Sequence, residues 1–197
     1  MISPGEDGYI HVNLIGEDSR LIVNNVLNYR RAIGRRFLMF ETVDFNISAA
    51  VETARLSIWV NDRFGRLMDL ASVDLLLMSM GDNEINPPAY SDAPYLIRYP
   101  EQNQTIKGGI LLLQGLANPV NESPLIIELV TEDGNIVGSN TISVAAPSGD
   151  LSHTPFILDI PYTVNASAPV RLTIRQESTG RIPGTVALSS MTLVIEP

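Results

Sequence analysis

The chain has 197 residues, 45% of them hydrophobic, with a net charge of −9 and no cysteine. That length suits one large or two modest domains, and the apolar content argues against wholesale disorder. The acidic balance speaks against a nucleic-acid partner, and the lack of cysteine excludes disulfides, thiolate chemistry and a Cys-ligated zinc site.

No run approaches the ~18 apolar residues of a membrane span, and no signal peptide precedes "ISPGEDGYI". The chain is therefore expected either in the cytosol or outside it after removal of an export segment. From there the texture is all-β. Short runs rich in Val, Ile and Leu alternate with polar residues and stop at Gly, Pro, Asn and Asp. "LIGEDSRLIV" (14–23) reads as a hairpin turning at Glu17-Asp18. "YRRAIGRR" (29–36) puts four arginines into a loop, and "VDFNI" (43–47) follows as a short apolar run. In "ARLSIWV" (54–60), Leu56, Ile58 and Val60 point one way, while Arg55, Ser57 and Trp59 point the other. "FGRL" (64–67) and the nearly continuous apolar run "ASVDLLLMSM" (71–80) close the first part. A stretch rich in Pro, Gly, Asn and Asp then reads as a fairly stiff linker over 82–94. Seven strands are expected beyond it, at 95–99, 110–116, 125–130, 136–144, 155–160, 170–176 and 188–195.

The second part echoes the first. "LVTEDGNIVG" (129–138) answers the 14–23 hairpin, and "IPYTV" (160–164) answers "VDFNI". "VRLTI" (170–174) answers "ARLSI", "TGRI" (179–182) answers "FGRL", and "SSMTLVI" (189–195) answers "ASVDLLL". The order is kept and the offset stays between 115 and 118 residues, which predicts two copies of one β unit. Seven short strands over ~100 residues suggest an immunoglobulin-like sandwich. The expected fold is thus all-β: two tandem immunoglobulin-like antiparallel β-sandwich domains, 1–81 and 95–197. The first lacks its opening strands. Where 95–197 begins with two strands, the first copy has only "MISPGEDG". Residues ahead of Met1 could complete it, it could close on five strands, or a strand of another chain could fill the gap.

"YPEQNQTIKGGILLLQGLA" (99–117) carries a further signal. A Pro-containing lead-in and a short strand precede a strand ending in Gly115-Leu116-Ala117. An acidic-Gly turn (Asp133-Gly134) and a late strand with Phe156 follow. In these features residues 95–197 resemble the immunoglobulin-like domain of bacterial spore-germination proteins. The family's aromatic-acidic pair after Gly-x-Ala is replaced by "NPVNES". The resemblance implies an exported bacterial module without known catalysis, hence an extracytoplasmic location.

No GxSxG, P-loop, HExxH or GxGxxG pattern occurs, and the two histidines, His11 and His153, have no matched partners. Ser152, His153 and Asp150 are too close in sequence to form a triad readily. The acidic linker residues Asp82, Asn83, Glu84, Asn86 and Asp92 match no calcium loop. No enzyme activity, metal or cofactor is expected. The candidate binding residues all lie in the first copy. Trp59, beside Arg55, offers stacking area for a sugar or protein partner. Tyr29, Arg30, Arg31, Arg35 and Arg36 offer an anion-holding cluster peculiar to that copy. Partners are expected to be a protein or glycan at the cell envelope, or a second copy of the chain.

Overall fold

A computed structural model describes residues 3–81, 93–149 and 152–197. Four strands precede residue 82: β1 (Tyr9–Gly16), β2 (Leu21–Asn28), β3 (Val51–Asn61) and β4 (Leu67–Met78). Eight follow residue 92: β5 (Tyr95–Tyr99), β6 (Thr105–Ile106), β7 (Ile110–Ala117), β8 (Leu125–Thr131), β9 (Ile136–Ile142), β10 (Thr154–Pro161), β11 (Ala168–Glu177) and β12 (Thr185–Ile195). Among the described residues there is no α-helix, only a 3-10 turn at Arg30–Ala32. All seven strands expected after residue 94 form, β9 two residues shorter than read. Of the expected linker, only Ala93 and Pro94 belong to the described residues.

The protein is all-β, with antiparallel sheets in a sandwich-like arrangement. One sheet has nine strands in the order β2-β1-β3-β4-β12-β11-β8-β9, with β6 added parallel to the end of β12. The other has three, β10-β7-β5. Written with the offsets found in the sequence, the order of the large sheet is a palindrome: β2 answers β9, β1 answers β8, β3 answers β11 and β4 answers β12. Its centre is a short antiparallel pairing of β4 with β12 at Asp69–Ala71. There Leu70 stands opposite Leu188, the residue 118 positions later that answers it.

The alternation read from the sequence explains which faces are covered. In β11, Val170, Leu172 and Ile174 face the small sheet, where they meet Leu111 and Leu113 of β7 and Ile160 of β10. That core holds seventeen buried residues. Among the described residues, no second sheet lies over the part of the large sheet formed by β1 to β4. Its apolar face is covered by the chain between Phe37 and Ile47, which makes two smaller clusters of four and three buried residues. Phe37, Met39, Val43 and Ile47 turn inward from that segment.

The two echoing hairpins differ from the type I′ turn that Asp-Gly favours. Positive φ falls on the third loop residue, Ser19 (63°) and Gly134 (81°), and not on the Asp before it. Ser19 N donates to Gly16 O and Gly134 N to Thr131 O, and each ladder shifts register beside its turn. Each is therefore a type I turn closed by a left-handed residue and a bulge. The β3–β4 turn, with Gly65 at φ 80°, is built the same way.

Candidate binding site

The sheet face away from the core is where chemistry-bearing residues collect. On β1, Tyr9 and His11 project from this face, two residues apart. Trp59 of β3 is the register partner of His11, and the two rings stack at 5.1 Å with their planes 11° apart. The Arg30 guanidinium lies over the Tyr9 ring at 4.7 Å. Gly8 makes room for it: at φ +80° it carries no Cβ, which would fall 2.4 Å from Arg30 Cγ. Trp59, His11, Tyr9 and Arg30 thus form a row along one edge of the face, so the structure brings Trp59 and Arg30 together through two aromatic rings.

The remaining candidates divide. Tyr29 tilts against Phe37 at 4.8 Å and its hydroxyl donates to Glu41 at 2.5 Å. That carboxylate raises the Tyr29 pKa. Glu41 therefore serves a tyrosine rather than the arginine loop. Arg31, Arg35 and Arg36 are exposed and form no ion pair among the described residues.

Arg55 is different. It lies on the same face as Trp59 but is only 4% exposed, sealed by the β11–β12 loop. Its Nε donates to Asp74 Oδ1 at 2.8 Å, Nη1 to the Ile182 carbonyl at 2.8 Å and Nη2 to Ser178 Oγ at 2.9 Å. Every arm of the guanidinium is used within the chain.

Arg171, the residue that answers Arg55 in the echo, behaves in the same way and was not singled out from the sequence. It is 2% exposed. Nε donates to Asp62 Oδ2 at 3.1 Å and Nη1 to Ser190 Oγ at 3.0 Å, with Glu6 3.6 Å from Nη2. Asp62 sits in the β3–β4 turn and is itself fully satisfied: Oδ1 accepts from the backbone N–H of Phe64 and Arg66, and Oδ2 also accepts from Arg66 Nε at 2.7 Å. Burial alone would raise its pKa; the N–H of Arg66 and the guanidinium groups of Arg66 and Arg171 outweigh that and hold it below the usual carboxylate range.

Each buried arginine thus reaches into the hairpin loop of the other half. Outlying contacts repeat the exchange: Arg66 Nη1 donates to the Val130 carbonyl of β8, Arg63 approaches Glu132, and Arg181 approaches Glu17. Glu17 and Glu132 belong to the two echoing hairpins, so each hairpin turn of the echo receives the other half's loop.

Shallow grooves lie elsewhere on the surface formed by the described residues, and two of these grooves bear on the candidates. One, beside the 62–66 turn, is lined by Arg171, Arg175, Glu128 and Glu132. Its charges are already spent, since Arg175 donates to Glu128 and pairs with Glu177. The other lies over Gly115 and Phe156 between β7, β10 and the end of β9. His153 Nε2 lies 2.9 Å from the Ala93 carbonyl and Nδ1 3.0 Å from Ser152 Oγ, while Asp150 falls outside the described residues. Among the described residues no three His, Asp or Glu side chains gather where they could hold a metal. The acidic residues 82–92 also fall outside them.

No known protein family, curated protein or solved structure matches the chain. What fold and site define together is a class: an all-β, antiparallel, sandwich-like protein whose buried charges tie its two halves to each other.

Proposed function

We infer that the chain is a non-catalytic binding or spacer module of a bacterial cell-envelope protein, working outside the cytoplasm. In this reading it consists of two immunoglobulin-like units, the first lacking its opening strands, and the resemblance of 95–197 to spore-germination domains supplies the setting. The observation that carries the reading is the join. A shared sheet and two reciprocal buried arginines hold the halves at one angle, and these charges are spent on that task rather than displayed in a cleft. A rigidly joined two-part module suits spacing or presentation; the row of Trp59, His11, Tyr9 and Arg30 is the surface it would present.

The test is small-angle X-ray scattering on the whole chain. A profile fitted by one rigid particle supports the reading, and a profile that needs freely jointed halves sinks it. If the aromatic row binds an envelope glycan, Trp59→Ala removes binding while the circular-dichroism spectrum stays unchanged. A second reading, a structural subunit that self-assembles by strand exchange through the first half, is favoured by the bare segment at 38–47. Light scattering over a range of concentrations separates the two, since assembly raises the mass and a spacer stays monomeric.

A further inference from the structure

The segment 38–47 has a counterpart that shows what it lacks. At the offset of the match between 43–47 and 160–164, Met39 answers Phe156, Val43 answers Ile160 and Phe45 answers Tyr162. The second set lies on or next to β10, which pairs along its whole length with β7. Tyr162 is 6% exposed and donates from its hydroxyl to the Ile106 carbonyl of β6. Phe45, with no β6 or β7 above it, is 43% exposed, and Leu38 and Phe40 are 67% and 87% exposed. Among the described residues the backbone of 38–49 makes no backbone hydrogen bond at all. Backbone that has no partner among the described residues, with Met39 and Val43 turned to an apolar inner side, is what a sheet edge offers an incoming strand.

The other border of the gap agrees. β12 carries β6 at Val194 and Ile195. Among the described residues the answering end of β4 carries no such strand, and Val73, which faces the same side as Leu75 and Leu77, is exposed there. Beside the start of the bare segment stand Arg31, Arg35 and Arg36, exposed cations in a chain of net charge −9.

We propose that the first half is a strand-accepting site. It takes an extended segment of another protein that alternates apolar residues as β7 does and ends in acidic residues. The incoming strand runs antiparallel to 38–45, in the register that β7 keeps on β10: the residues answering Gly115, Leu113 and Leu111 lie opposite Met39, Glu41 and Val43. That direction places the partner's C-terminal flank next to Phe37 and the arginine loop, where carboxylates would be held. The proposal rests on reading the two halves as versions of one unit, and it adds to the inferred binding module the kind of partner bound.

The experiment uses the whole chain and a synthetic peptide of residues 108–119, "GGILLLQGLANP", extended by three aspartates. Hydrogen exchange of 38–47 is followed with and without peptide. Expected are at least tenfold slower exchange confined to 38–45, and at least tenfold weaker binding when alternate peptide nitrogens are methylated. Arg31→Glu with Arg35→Glu, both on the exposed loop, should abolish the advantage of the aspartate tail and leave the untailed peptide unaffected. Slow exchange of 38–47 in the free chain overturns the proposal, because the edge is then covered from within, yet leaves the reading of the halves standing. Equal binding of a scrambled peptide overturns both. Protection by phosphatidylglycerol vesicles without protection by the peptide assigns the patch to a lipid surface and also overturns the proposal.

Discussion

The second half of the molecule closes over its own core and the first half does not. β8, β9, β11 and β12 meet a second sheet, and seventeen buried residues interlock between the two layers. β1 to β4 have the same strand order and the same alternation but, among the described residues, only an irregular segment above them, and their core breaks into two small clusters. The difference teaches where the first half gets its order. A thin core stabilises little, since burial contributes only about 25 cal/mol per Å². The shared sheet and the arginine exchange at its outer face therefore matter more to the first half than to the second, which makes the join the place to test.

The largest effect is expected at Asp62. Asp62→Ala leaves buried Arg171 with only the more distant Glu6 carboxylate, 3.6 Å away, and strips Arg66 of its ion pair, and breaking a buried pair from one side costs about 3–5 kcal/mol. Urea unfolding should show the loss first in tryptophan fluorescence, because Trp59 lies in the half that depends on the join. If the transition stays single and shifts equally by fluorescence and circular dichroism, the halves unfold as one unit and the supposed dependence is absent. The same carboxylate gives the join a pH dependence. Its folded pKa is held below the unfolded value, so its contribution is complete above about pH 4 and fades as the pH falls through the folded value. Thermal melts of the parent chain should lose stability on acidification below about pH 4, and Asp62→Asn should flatten that part of the profile.

Arg55→Met comes next. Its carboxylate partner, Asp74, is half exposed and can be solvated, unlike Asp62. The loss is that of charge-assisted bonds to Ser178 and the Ile182 carbonyl, about 1.5–3 kcal/mol. The two arginines occupy answering positions, so the ordering of their costs reads out the environment rather than the residue. An Arg55 variant that costs more than the Asp62 variant would reverse the comparison.

Much of this was legible before any coordinates. Strands such as 170–176 and 54–60 announce themselves because one side faces apolar atoms and the other does not, and period-two alternation records that directly. The echo of "ARLSI" in "VRLTI" already aligned Arg55 with Arg171. What it could not convey was burial: an arginine at a polar position of a strand reads as solvent-facing, and only the loop of the other half, over 120 residues away in sequence, covers it. Asp62 escaped notice for the same reason, as an acid in a turn. The candidate row was half visible. Trp59 stood out as the single tryptophan, but His11 and Tyr9 became its neighbours only through the register of β1 with β3.

The smallest effects belong to the rim and to that row. Arg181 and Glu17 are largely exposed, and Arg181→Ala should change stability by about 0.5 kcal/mol or less. Trp59→Ala sits just above it. The stack on His11 is worth about 0.5–1.5 kcal/mol beyond the area buried, and Trp59 is half-buried at the surface of the sheet rather than in its core. His11→Ala should remove the same stacking contribution, and a double-mutant cycle of Trp59 with His11 isolates it. A coupling near zero would mean that Trp59 is held by the strand alone and not by the ring beneath it. It would then be freer to reorient on a ligand, and the row would have to be read as four separate side chains instead of one surface.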